Sequence, residues 1–74
     1  MVKVIGMTVE SIQDGKRNVV VSLMADTQAE VTACGASGAH IAGLTADDTI
    51  VLGSTAFCVD GSFGMINSSG VWNW

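Results

Sequence analysis

Between Gly53 and Trp74 the apolar residues come in short runs, and each run is stopped by turn chemistry. Asp60-Gly61 follows Phe57-Cys58-Val59, and Asn67-Ser68-Ser69-Gly70 follows Met65-Ile66. Runs of this length are too short for amphipathic helices and fit strands bounded by turns. The segment therefore reads as strand, turn, strand, turn, strand over 55–59, 62–66 and 71–74, after an earlier apolar run at Thr49-Ile50-Val51-Leu52. No proline occurs anywhere in the chain, so nothing removes a ladder hydrogen bond from any of these runs. Asp60 is the one charged side chain of the segment.

The first third follows the same logic. Over residues 4–12, Ile5, Met7 and Val9 alternate with Thr8 and Glu10, the pattern of a half-buried strand. Asp14-Gly15 favours a tight hairpin turn. Val19-Val20-Val21-Ser22-Leu23-Met24 then places Val19, Val21 and Leu23 on one face. Residues 2–24 are thus expected to form a hairpin, with Lys16 and Arg17 as solvated charges beside its turn. Residues 25–48 read as a long connection. Asp26 or Thr27 caps a short helix through Val31, Glu30 lies near its first turn, and Gly35 stops it. Gly35-Ala36-Ser37-Gly38 and Gly43 to Asp48 read as loops. Long loops tend to be functional, and contact with a neighbouring subunit is the role expected of this one. The whole is a single all-β domain over 1–74, a small antiparallel module of about five strands: an N-terminal hairpin, a C-terminal meander, and one long loop with a short helical turn.

A chain of 74 residues buries a modest fraction of its surface and is marginal on its own. Charged residues make up 14% of it, against about 25% in ordinary soluble domains, so few groups remain to solvate a monomer. Association with itself or with a larger assembly is the expected support. The net charge is −4, and the three cations Lys3, Lys16 and Arg17 cannot form a phosphate-neutralising face. Partners among nucleic acids and anionic membranes are therefore not expected. No apolar run is long enough to span a bilayer. Met1 to Gly6 lacks the basic and long apolar regions of a signal peptide, so synthesis in a cytoplasm is expected.

Candidate chemistry is sparse. His40 is the single imidazole, and neither Cys34, Cys58 nor any serine near it carries a nucleophile motif. Cys34 and Cys58 follow no metal or redox spacing and read as small buried hydrophobes, with a disulfide as the less favoured alternative. Asp47, Asp48 and Asp60 lack the spacing of a calcium loop and read as solvated turn carboxylates. Gly61-Ser62-Phe63-Gly64 has no lysine and no following helix, so it is no phosphate loop. No catalytic, cofactor or metal residues are assigned, and no enzyme activity is expected. The interface candidates are Phe57, Phe63, Met65, Trp72 and Trp74. Trp72 and Trp74 would share a strand face, either as interface anchors or, alternatively, as an aromatic platform for a glycan.

The order Gly43-Leu44, Gly53-Ser54-Thr55-Ala56, an apolar strand ending in Met65, then Ser69-Gly70-Val71-Trp72 resembles small structural proteins of tailed bacteriophages and prophages. The likeness covers residues 43–74 and reaches the hairpin only loosely. The two cysteines depart from it. The resemblance implies a non-catalytic virion accessory subunit, such as a capsid decoration or head-fibre protein. It would be made in the host cytoplasm and located in the virion, with further copies of itself and capsid or tail subunits as partners.

Overall fold

In the computed structural model, which describes residues 1–74, β1 (Lys3–Gln13) and β2 (Lys16–Ala25) form the expected hairpin. Its turn holds Asp14 at φ 54° and Gly15 at φ 78°, the double left-handed geometry for which Asp-Gly is suited. The pairing is broken by two irregularities, between Val4 and Gly6 and between Val9 and Ser11. A short helix α1 (Gln28–Cys34) follows, capped as expected by Thr27. The Thr27 hydroxyl accepts from the Glu30 N–H, and Glu30 Oε1 accepts from the Thr27 N–H, a complete capping box. Gly35 ends the helix at φ 58°. The remaining strands are β3 (Asp48–Ile50), β4 (Thr55–Cys58), β5 (Phe63–Ile66) and β6 (Trp72–Asn73).

The fold is all-β, with six strands in one sheet and one helix. The C-terminal meander is present, since β4, β5 and β6 pair antiparallel in sequence. The sheet as a whole is mixed. Both β3 and β4 lie parallel to β2 along the same edge, at Arg17–Val19 and Ser22–Ala25 respectively. Parallel neighbours need a crossover of a dozen residues or more, and residues 26–47 supply it. The long connection is therefore an intramolecular crossover. Gly35 to Gly38 is likewise part of the framework. Ala36 O accepts from the Ile50 N–H at 2.7 Å, and a Cβ on Gly38 would sit 2.6 Å from Thr45 O.

One face of the sheet carries the core. Val19, Val21, Leu23 and Ala25 alternate inward from β2, joined by Ile50, Ala56, Cys58, Ile66 and Trp72 from the other strands. Val31 of the helix and Ile41 of the crossover close over them. The cover stops short of β1. Met7 and Val9 pair in register with Val21 and Val19, on the core side, yet remain 42% and 38% exposed, and Ile5 is 56% exposed. The half-buried first strand read from alternation is thus a strand that overhangs the core.

Two buried polar groups hold the parallel junction together. Between β3 and β4 the chain jogs through Val51–Ser54, which leaves the Val21 N–H of β2 facing a gap. Ser54 Oγ accepts from that N–H at 3.0 Å and donates to Val51 O at 2.8 Å. At the start of β3, Asp48 is 1% exposed and bound bidentately by Arg17, from Nε at 2.7 Å and Nη2 at 3.0 Å. The Thr45 N–H donates to the same carboxylate at 2.9 Å. Arg17 and Asp48 are therefore cross-strand partners rather than solvated loop charges. The Arg17 guanidinium, then the Thr45 N–H, hold the Asp48 carboxyl below its ordinary range.

Ser54→Ala leaves the buried Val21 N–H without an acceptor and is expected to cost about 1–3 kcal/mol in urea unfolding. Asp48 contributes its stability fully above the ordinary aspartate value of about 3.9 and loses it as pH falls through the lowered value in the fold. Asp48→Asn is expected to lower the thermal midpoint at neutral pH and to flatten the acid limb of a midpoint-against-pH series. Asp60 and Glu30, shifted the same way, preserve part of that limb.

Candidate functional site

The face opposite the core is bare. Burial alternates along the strands so that Leu23, Ala25, Ala56, Cys58, Gly64 and Ile66 point inward. Met24, Phe57, Phe63 and Met65 point out, at 40%, 51%, 46% and 49% exposure. Register brings them together. Met24 lies beside Phe57, which lies beside Phe63, in one row across three strands. Ser22, Thr55 and Met65 form the next row. The rings of Phe57 and Phe63 meet at 4.7 Å between centroids, tilted by 50°. No charged side chain sits in either row on β2, β4 or β5, and Lys3 of β1 flanks Met24. An antiparallel sheet with one solvated face ordinarily places polar residues there. Here a contiguous patch of aromatics and methionines takes their place.

The five interface candidates divide between the two faces. Phe57, Phe63 and Met65 lie on the bare face, and Met24 joins them although the sequence reading omitted it. Its signal was available, since a residue between inward-facing Leu23 and Ala25 must point outward. Trp72 is a core residue of its own chain at 6% exposure, and its indole N–H donates to Gly35 O at 2.9 Å. Trp74 is 37% exposed and donates to Thr32 Oγ1 at 3.0 Å. Its ring lies on Gly64, where an added Cβ would come within 2.7 Å. The two indoles stack at 6.2 Å and 29° and tie the helix to the end of the sheet. They cover one another and α1. Both indole N–H groups are engaged within the chain.

Several titratable groups make structural contacts. His40 and Cys34 line one shallow hollow with Glu30, Met1, Val2 and Ala33, but no hydrogen bond joins thiol to imidazole. Burial, and then the negative charge of Glu30, push the Cys34 thiol up. Burial does the same to Cys58, a core residue. An activated nucleophile needs the opposite shift. Both thiols are free. Asp60 is exposed yet engaged. It accepts from the Ser62 N–H at 2.9 Å, closing the β4–β5 turn, and from the Gln28 N–H at 3.3 Å, at the first residue of α1. Those bonds, Ser62 foremost, hold its carboxyl low. No group of three or more His, Cys, Asp or Glu side chains is gathered as a metal site would require.

Comparison with family models, with curated proteins and with solved structures finds no match to this chain.

The two faces respond differently to substitution. Trp72→Ala empties a buried aromatic site and is expected to cost about 3–5 kcal/mol in urea unfolding. Phe57→Ser and Met65→Ser each remove a half-buried side chain and are expected to cost less, about 1–2 kcal/mol. The same two substitutions raise the concentration at which the protein begins to precipitate, as read by light scattering.

Proposed function

We propose that this chain is a non-catalytic structural subunit of a phage or phage-like particle, an accessory such as a capsid-decoration or head-fibre protein. It acts by self-association and by docking on a protein lattice. The observation that carries the reading is the exposed patch of Met24, Phe57, Phe63 and Met65 across two neighbouring rows. Full burial of one such side chain is worth about 1.5–3 kcal/mol, so covering four that are half exposed releases on the order of 3–6 kcal/mol. That is comparable with the whole stability of a small domain, about 5–15 kcal/mol. A surface of this kind persists where function occupies it. The resemblance of residues 43–74 to phage structural proteins supplies the class of partner: capsid or tail subunits. The low charge and the scarcity of cations favour protein contact over nucleic acid. The raised Cys34 thiol beside His40 favours a structural role over catalysis.

The test is location. Particles from cells that express the chain are purified through a density gradient and probed for it. The chain is expected to band with the particles, and a Phe57→Ser/Phe63→Ser variant that remains folded by circular dichroism is expected to be lost from them. A chain that stays entirely in the soluble fraction, with no copy on any particle, sinks the proposal.

A further inference from the structure

The bare face is one of two unfinished surfaces; the other is the outer edge of β1. Ala42 bridges Lys3, accepting from the Val4 N–H and donating to Val2 O. From Ile5 to Gln13 nothing in the chain bonds the outer edge. This is a long unpaired edge, and Glu10 is its single charge. Natural edge strands are ordinarily short or carry lysine or proline, because an open edge templates another strand. Here Met7 and Val9 lie on the side that is core elsewhere in the sheet, yet they stay 42% and 38% exposed.

We propose that β1 is the seam of a homodimer, in which two copies pair antiparallel along this edge about a two-fold axis normal to the sheet. The occupant follows from what the chain itself offers. The far end of the sheet is β6, two residues long, too short to receive β1 of another copy and build an open filament. A strand that can pair only with itself makes an isologous contact, which closes at two. Paired residues share a sheet face, so a two-fold at Thr8 sets Met7 beside the partner's Val9, and Val9 beside the partner's Met7. Glu10 then opposes the partner's Gly6, and no like charges meet. The bulges near Ile5 and Glu10 bracket the regular stretch Gly6–Val9 and limit which registers can form. With the two-fold at Thr8, and with Val4 already bonded to Ala42, the seam runs from Ile5 to Ser11, about 23 Å long. The inference deepens the assembly reading by naming a second copy as partner and β1 as the contact.

The test is sedimentation equilibrium of the full chain at micromolar and higher concentration. The expected mass is twice the 7.6 kDa of the chain. Met7→Lys/Val9→Lys places charges where side chains are already solvent-accessible in the single chain, so the variant is expected to fold by circular dichroism and to sediment as a monomer. Phe57→Ser/Met65→Ser, on the bare face, is expected to remain dimeric. Hydrogen exchange gives a readout that needs no variant, because amides within Ile5–Val9 that point outward gain protection as concentration rises. A monomer at all concentrations overturns the seam, as does a dimer that survives the lysines or one that is lost with the serines. Particle binding by a strictly monomeric chain would overturn the seam and leave the assembly reading standing. A dimer that never associates with particles would do the reverse.

Discussion

Strand β2 is the longest strand bonded along most of both edges, and the rest of the fold is arranged to keep it so. One edge takes β1 directly, because a two-residue turn suffices. The other takes β3 and then β4, which run parallel and so can be reached only after the chain has crossed the sheet. The chain meets that requirement with two pieces where an ideal sheet would use one continuous strand. The jog between them would strand the Val21 N–H inside the protein, where an unsatisfied donor costs about 1–3 kcal/mol. The Ser54 hydroxyl closes the gap. At the other end of the junction the Arg17–Asp48 pair fixes where β3 begins. These two polar devices let a short chain build a parallel junction that larger proteins support with longer helices.

The same economy explains what the fold leaves uncovered. A seven-residue helix and a loop form the whole second layer. They have enough material to cover β2, β4, β5 and β6 on one side. Nothing remains for the opposite face or for the overhang of β1. The terminal indoles are drawn into this shortage. Trp72 and Trp74 reinforce the thin layer by bonding Gly35 and Thr32. They act as cover for the core.

Local chemistry was legible in the sequence; long-range pairing was not. The Asp14-Gly15 turn, the Thr27 cap with Glu30, the stop at Gly35 and the inward face of Val19, Val21 and Leu23 are set by residues a few positions apart. All of them appear as read. The parallel alignment of β3 and β4 is set by the length of residues 26–47, and length alone does not say which strand the chain returns to. Alternation at Ile5, Met7 and Val9 marks an apolar face but cannot say whether another layer reaches it. The Arg17–Asp48 pair joins residues far apart in sequence, each flanked by turn signals that favour the solvated reading. Of the candidate contact residues, Phe57, Phe63 and Met65 were recoverable from alternation. Trp72 was not, since an aromatic on a strand face reads alike whether that face is core or contact.

Edge and face are at right angles in this sheet, so they can be occupied at the same time. A two-fold normal to the sheet carries the bare face of each copy to the same side of the pair. Met24, Phe57, Phe63 and Met65 of one copy would then lie coplanar with the same four residues of the other. A lattice that repeats its own surface could engage both patches at once. The second contact is intramolecular after the first, and linked sites of this kind can exceed the single-site affinity by about 10²–10⁴. A patch of four half-exposed side chains is too small to hold a subunit firmly by itself. Doubled on a shared sheet, it becomes adequate without any new contact. On this argument the open edge of β1 and the bare apolar face are parts of one design. Each is a liability in a lone 74-residue chain, and in the proposed dimer together they would make a bivalent adhesive surface.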